Sequence, residues 1–559
     1  MSLFTSSLNP LTRESAINSL AHKEFDILVI GGGVNGAGIA LDAASRGLNV
    51  ALVESHDFAS GTSSRSSKLI HGGLRYLEQY DFKLVREALR ERELMVATLS
   101  PHLVKPVPFI YPLHEKFKER TYVGAGMALY DALRGFKRAL PWHKHLSQKT
   151  VSEVAPSLRL DLVTGGYQYF DAQVDDARHT MMIARTAAKY GAVITTRTRC
   201  LNVNKEGRKV VGAKIRDEIT GKEIDVRAKC TIMAAGVWTD PLYESFGIKP
   251  GYTVRMSKGA HIVVPGDAIK SEAGIIIKTD VSVLFIIPWG DKWIVGTTDT
   301  DYQEDRDEPL ASRDDVSYII NQANRVLEPK LDRSQVIGVF AGLRPLVSSN
   351  PDSPTTELSR EHVVDHPVPG FVSIAGGKYT TYRVMAEDAV DAATSDIRRI
   401  VPESCTEGVA IIGADGYSVM VNKVAELSRE YGVTQQTIEH LLDRYGSLFE
   451  EVLEVGKDDP SFIHRIREDL PYLRAEIKYA VTHEGALSVD DVMSRRTRIN
   501  FEASDQGISI VNEVADLIAP TLQWSDLEKR SSIDERFSKS DHCRVGAMRS
   551  ATSFTMEIP

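Results

Sequence analysis

The feature that most constrains this chain is the run Phe25-Asp-Ile-Leu-Val-Ile-Gly31-Gly-Gly33-Val-Asn-Gly36. A short, apolar, β-branched-rich stretch ending in glycines is the pattern of a buried parallel strand. Asn35–Arg46 follows with Ala37, Ala40, Ala43 and Ala44 at helical spacing, and Gly47 stops it. Val50–Glu54 is a second apolar strand that closes on an acid. The unit is β-α-β, with parallel strands and a right-handed crossover. Gly31, Gly33 and Gly36 fall as G-x-G-x-x-G between strand and helix, the setting in which that spacing binds a dinucleotide. The first glycine permits the tight turn, the second lets backbone approach a pyrophosphate, and the third lets helix and strand pack closely. The helix N-terminus adds free N–H groups and a positive dipole end. Glu54, 18 residues after Gly36, can accept from ribose hydroxyls and repels a 2′-phosphate, which favours FAD or NAD over NADP.

At 559 residues the chain exceeds one ordinary core, so two or three domains are expected. A polar Gly- and Ser-rich stretch, Ser60–Gly73, precedes a periodic helix, Phe82–Leu99, ended by Pro101. Strand patterns then dominate: Gly191–Val203, Val210–Arg216, Thr231–Ala235, His261–Val264, Val281–Ile287, Trp293–Thr297 and Val372–Ala375. Helix- and strand-rich parts interleave, implying that the chain crosses between two domains more than once. From Gly416 on, helices follow one another: Val421–Tyr431, one capped by Thr434, then Tyr472–His483, Val489–Thr497 and Ile508–Ile518. The expected division is a 1–24 extension with a short surface helix at Leu11–Leu20, an interleaved body over 25–395, a helical domain over 405–530, and a polar, mobile tail over 531–559.

Charge and composition exclude several classes. The net charge of −9 and the lack of paired basic and aromatic stripes argue against nucleic-acid binding. Four cysteines without a Cys-x-x-Cys pair argue against a disulfide framework, a cysteine zinc site or a four-cysteine cluster, and suit a reducing, intracellular compartment. No Asp/Glu/His cluster has metal spacing, so no metal is expected. No run of about 18 apolar residues is present, so membrane contact would be peripheral, and the N-terminus lacks a secretory signal.

Several long motifs, in order, resemble the FAD-dependent glycerol-3-phosphate dehydrogenase family of aerobic type. They are Ser63-Ser-Arg-Ser-Ser67-Lys-Leu-Ile-His71-Gly-Gly73-Leu-Arg75-Tyr76, Val174-Asp-Asp-Ala-Arg178, Lys258-Gly-Ala-His261-Ile-Val-Val-Pro265, Gly296-Thr-Thr-Asp299, Gly342-Leu-Arg344-Pro-Leu346 and Gly376-Gly-Lys378-Tyr-Thr380-Thr381-Tyr382. The resemblance spans roughly Asp26–Asp388, and a helical C-terminal domain also fits the family. It implies an α/β, D-amino-acid-oxidase-like flavoprotein: a Rossmann-type FAD domain, a β-sheet substrate domain and a C-terminal all-helical domain. It implies FAD as cofactor, held by Gly31, Gly33, Gly36 and Glu54. Ser63, Ser64, Ser67, Lys68, His71 and Leu74 are expected along pyrophosphate and flavin, with Val203 at adenine. Ala235 and Gly236 are expected at a second glycine approach, and Gly377, Lys378 and Thr380 at the flavin pyrimidine.

The implied reaction oxidises sn-glycerol 3-phosphate at C2 to dihydroxyacetone phosphate, with electrons passing to membrane quinone. It needs a base and a phosphate clamp. His261 is the expected base, since an unperturbed imidazole titrates near working pH, although a lone histidine in so apolar a strand is usually a hydrogen-bonded core residue. Arg344 and Arg75 are expected to clamp the phosphate, because guanidinium forks suit a dianion. Lys258 and Lys378 would add charge, and if His261 only orients substrate, a cation such as Arg344 could polarise the hydroxyl; Lys378, at the flavin pyrimidine, would also stabilise the negative charge that builds on reduction. The rivals are a glycerol-phosphate oxidase that uses oxygen, a flavin amine or amino-acid oxidase, and a non-catalytic flavin-binding regulator. Val123–Lys144 reads as a helix that lies on an anionic membrane, with Met127, Leu129, Leu133, Phe136, Leu140 and Trp142 against Arg134, Lys137, Arg138 and Lys144. A helix under a solvated basic face fits that pattern equally. The expected location is the inner face of the cell membrane, on the cytoplasmic side. Nothing in the pattern sets the oligomeric state, and a homodimer is left open.

Overall fold

In the computed structural model, residues 6–77, 80–134, 139–279, 283–348 and 361–548 are described. The apolar run Glu24–Ile30 is buried from Phe25 onward and sits inside an eight-stranded sheet. Its main path runs His362–Val368, Phe371–Gly376, Glu223–Met233, Glu24–Ile30, Val50–Val53, Val193–Thr195. The pairings from Phe371–Gly376 to Val193–Thr195 are parallel, as the β-α-β pattern requires. A hairpin of Thr198–Glu206 and Lys209–Asp217 joins Glu223–Met233 edgewise. Helix Val34–Ser45 packs against helices Asp176–Lys189 and Tyr382–Thr394. Its Ala37, Ala40 and Ala43 are fully buried, and such small side chains let the neighbouring helices close in.

A second, ten-stranded sheet is built around the long strand Thr253–Pro265, flanked by Lys292–Gly296 and Gly338–Ser348. The chain leaves the first sheet after Val53, returns at Val193, leaves after Met233 and returns at His362. The body is therefore interleaved, as its patterning implies. The expected strand Gly191–Val203 is two strands, Val193–Thr195 and Thr198–Glu206, broken where Arg197 takes φ 51°.

The helical region is anchored by caps and by charge. Thr434 accepts from the Thr437 N–H at 3.1 Å and starts helix Gln435–Tyr445. Of the expected Val421–Tyr431 helix, Val424–Tyr431 forms, while Val421 ends a separate short helix, Tyr417–Val421. Much of the helical domain's docking onto the body is ionic. Arg495 and Arg496 both pair with the buried Asp57, Arg498 pairs with Asp175 at 2.6 Å and also with Asp176, and Glu484 pairs with Arg178 at 2.8 Å. Burial alone would favour neutral carboxyls, yet the surrounding arginines hold Asp175 and Asp491 well below the usual carboxylate range.

Two sequence expectations are corrected. The segment taken for a mobile tail carries helix Asp526–Met548, with Ser532, Arg536 and Ser540 buried. Polar contacts hold it: Arg536 Nη2 donates to the Gln506 carbonyl at 2.8 Å and Ser540 Oγ to Gln506 Oε1 at 2.6 Å. Ile533 and Phe537 also pack on the helical core, but two apolar residues in so polar a segment left no periodicity to mark it; residues 549–559 lie outside the described ones. Val123–Lys144 is not one helix either. The helix is Lys118–Leu133, and a strand starts at Lys144. Arg134 is buried against Glu93 and Asp131, and Met127 and Leu140 are core residues, so these three do not face outward. Phe136, Lys137 and Arg138 lie outside the described residues. Among the described residues, no helix is long and apolar enough to cross a membrane.

Candidate active site

A cleft of about 540 Å³ runs from the glycine turn to the junction of the two sheets. At its first end the turn is glycine by necessity. Gly31 has φ 115°, and a Cβ there would lie 2.5 Å from the Ala234 carbonyl oxygen. A Cβ on Gly36 would lie 1.8 Å from the Gly31 carbonyl oxygen, so Gly36 sets helix packing and does not itself line the cleft. Gly33 lines it. Glu54 is held in the wall, where its Oε2 accepts from Gly32 N at 2.6 Å and its Oε1 from His56 N at 2.8 Å. Ser63 Oγ accepts the Val34 N–H at 2.9 Å and so takes the first donor of the helix. Ala235, Gly236, Gly377, Lys378, Thr380, Ser67 and His71 also line the cleft.

The far end is defined by register. His261 stands on the central strand between Gly296 on one side and Phe340 on the other. A Cβ at Gly296 would come within 2.3 Å of the imidazole, so that glycine makes its room. The ring stacks on Phe340, with centroids 4.7 Å apart and planes at 10°, and His261 Nε2 lies 2.8 Å from Ser67 Oγ. Among the described residues, Nδ1 has no hydrogen-bond partner. Burial, then the positive charges of Arg344 and Lys68, push the imidazole pKa well below its ordinary value. The premise that His261 titrates near neutrality is thus corrected: burial and the neighbouring cations favour its uncharged form. Arg344 lies across Gly259, where a Cβ would meet its Nη2 at 2.5 Å. Its Nη2 donates to Thr297 Oγ1 at 3.0 Å and to the Thr298 carbonyl at 3.2 Å, and its Nη1 lies 3.5 Å from Asp299. Lys378 Nζ sits 3.7 Å above the Tyr76 ring.

Other expected residues stand elsewhere. Lys68 turns away from the cleft into the interior, fully buried, with Nζ 2.9 Å from Asp176 and 3.0 Å from the Ser64 carbonyl. Ser64 is likewise behind the wall and serves through that carbonyl. Lys258 is engaged by Asp315 at 2.7 Å, off the cleft. Leu74 packs in a hydrophobic cluster, and Val203 is a core residue; Thr198, Arg199 and Cys200 wall the Glu54 end in their place. The Arg75 side chain lies outside the described residues. Sequence reasoning missed Arg65, Ser66, Trp238 and Met385 on the wall. Trp238 adjoins Ala235-Gly236 in sequence, which was the available signal. Cys200 and Cys230 are buried, and burial raises both thiols.

A cleft that begins at a strand–glycine–helix turn and ends at a buried imidazole beside an arginine is that of a dinucleotide-dependent oxidoreductase. Residues 26–383 match the model of the FAD dependent oxidoreductase family, and the chain belongs to that family. Residues 404–529 match the C-terminal domain of alpha-glycerophosphate oxidase. The chain is 48 % identical over 520 residues to a glycerol-3-phosphate dehydrogenase of Mycobacterium leprae, covering 93 % of this chain and 88 % of that one. It is 37 % identical to the mitochondrial glycerol-3-phosphate dehydrogenase of Mus musculus, covering 94 % and 74 %. The structure of a glycerol-3-phosphate dehydrogenase from Bacillus halodurans, complexed with FAD, superposes with a TM-score of 0.80 at 28 % identity, covering 99 % of this chain and 100 % of that one. Within the broader class, the chain therefore stands in the glycerol-3-phosphate dehydrogenase family. The cleft fits FAD: its glycine turn has no room for a Cβ at Gly31 or Gly36, as a turn that brings backbone close to a pyrophosphate requires, and its wall carries both apolar and polar residues.

Proposed function

We propose that this chain is an FAD-dependent glycerol-3-phosphate dehydrogenase that converts sn-glycerol 3-phosphate to dihydroxyacetone phosphate. The observation that carries this reading is the His261 imidazole, stacked on Phe340 and hydrogen-bonded to Ser67, lining the same cleft as the Arg344 guanidinium. When bound, FAD supplies a two-electron acceptor for the hydride of C2. His261 takes the C2 hydroxyl proton, and its resting neutrality leaves it free to do so. Arg344 clamps the phosphate; Thr297, Thr298 and Asp299 hold its fork in place. Lys378 adds positive charge above Tyr76. In this reading Gly33, Glu54, Ser63, Ser67, His71, Ala235, Gly236, Gly377 and Thr380 bind the cofactor, while Ser64 and Lys68 brace that loop from behind.

Electrons leave to a membrane quinone, and the protein sits on the inner membrane face. Support comes from exposed Phe117, Tyr122, Leu129 and Trp142 near exposed Lys116, Lys118, Arg120 and Lys144, since apolar rings among cations suit an anionic interface. Anaerobic titration of the FAD-loaded protein with glycerol 3-phosphate tests the reaction. Bleaching that a quinone analogue reverses at once and air only slowly supports the dehydrogenase. Fast reversal by air with peroxide points to an oxidase. Absent bleaching leaves a flavin-binding regulator or another substrate.

A further inference from the structure

The helical domain reaches the back of the cleft at Arg498–Glu502. Two separate routes lead from there to His261. The polar route starts at Arg498, fully buried, whose guanidinium pairs with Asp175 and Asp176 and donates to the Ser64 carbonyl at 3.3 Å. Asp176 in turn accepts from Ser66 N at 2.9 Å, Ser66 Oγ at 2.7 Å and Lys68 Nζ at 2.9 Å. These contacts hold the residues on both sides of Ser67, the hydrogen-bond partner of His261. The aromatic route starts at Phe501, buried, which packs on Phe340 with centroids 5.3 Å apart, and Phe340 stacks on His261. Lys68 Nζ lies over both rings, 4.9 Å from Phe340 and 5.3 Å from Phe501. The Phe501 backbone also lies against Gly338, where a Cβ would come 2.4 Å from its carbonyl oxygen. Gly338 begins the strand that carries Phe340 and Arg344. Glu502 continues the contact by accepting from Trp289 Nε1 at 2.7 Å.

We propose that Arg498 and Phe501 of the helical domain are positioning residues of the active site, which fix Ser67 and His261 from behind the cleft wall. The helical domain is thereby part of the catalytic unit, although none of its residues lines the cleft. The charged groups around His261 are Arg344 with Asp299 on its own sheet, and Lys68 backed by Asp176, Asp175 and Arg498. A loosened Phe501 wall admits water to the imidazole and weakens the burial that keeps it neutral.

The test uses Phe501→Leu and the milder Arg498→Lys in the full-length, FAD-loaded protein. One readout is the limiting rate and apparent Kd of flavin bleaching by glycerol 3-phosphate, which rests on the proposed function. The other does not: the protonation midpoint of the His261 imidazole by NMR of isotope-labelled histidine, assigned with His261→Asn. Expected are an about tenfold lower limiting rate with Kd nearly unchanged, as for a displaced base, and an upward-moved His261 midpoint. Phe501→Tyr, which keeps the ring, should restore the midpoint. A fall in thermal stability with unchanged rate and unchanged midpoint in both variants overturns the proposal. Failure of the wild-type protein to bleach overturns the substrate, and the NMR comparison then decides the positioning alone.

Discussion

Arg344→Met separates phosphate recognition from everything else the site does. Methionine keeps much of the length and apolar volume of the arginine but not its fork. If the guanidinium holds the phosphate with one or two charge-assisted hydrogen bonds at about 1.5–3 kcal/mol each, the variant loses up to about 3–6 kcal/mol. At about 1.4 kcal/mol per factor of ten, the upper range corresponds to about 10²–10⁴-fold in apparent affinity. The structure places the answer toward that upper range. Asp299 lies 3.5 Å from the guanidinium and is largely buried, so its carboxylate stays behind to repel an incoming dianion. Rapid-mixing bleaching under argon, read against substrate concentration, gives Kd and limiting rate separately. The Kd for glycerol 3-phosphate should rise by those orders with FAD content unchanged, while the reaction of glycerol, which has no phosphate, should hardly move. A Kd within about threefold of wild type, or an equal loss for both substrates, would refute the clamp.

Three further outcomes are expected. Gly36→Ala should yield protein without bound FAD, read from visible absorbance, because its Cβ has 1.8 Å to the Gly31 carbonyl oxygen; retention of full FAD would mean that the turn can shift. His261→Ala should lower the limiting bleaching rate by about 10²–10⁴ with Kd little changed, and the wild-type rate should stay level above pH 6.5 because the histidine pKa is depressed; a wild-type rate that climbs through pH 6–8 would exclude that assignment. Lys539 and the arginines Arg495 and Arg536 hold the buried Asp490 carboxyl far below the ordinary aspartate range. Its contribution is therefore complete above about pH 4 and lost as pH falls below that. Asp490→Asn, which strands those cations, should cost about 3 kcal/mol at pH 7 and flatten the fall in Tm between pH 4 and 2; an unchanged Tm–pH curve would refute it.

Much of the fold was legible because its signals are local. The strand–glycine–helix turn depends on residues 25–36, and the Thr434 cap on three residues. The interleaving could be read from alternating periodicities. Gly31, Gly33, Glu54, His261 and Arg344, all expected from sequence, line the cleft, and the displaced residues have two main causes. Lys68 and Lys258 are cations whose carboxylate partners, Asp176 and Asp315, stand 108 and 57 positions away, and no local pattern announces such a partner. Val203 and Leu74 depend on which way a strand or turn faces after tertiary packing. The Asp526–Met548 helix was missed because, among the described residues, its inward face has only Ile533 and Phe537 as apolar residues packed on the helical core, alongside polar contacts to Gln506.

The order of strands in the first sheet has a consequence for biosynthesis. Glu24–Ile30 leaves the ribosome early, but one neighbour, Glu223–Met233, is made about two hundred residues later, and Phe371–Gly376 later still. Such long-range pairing is slow and leaves apolar edges waiting. A nascent chain stopped before residue 223 carries the whole glycine turn yet lacks the Ala234 carbonyl against which Gly31 is fitted. Competence to hold the nucleotide arises late in translation, and the newborn apolar strands need shelter until then.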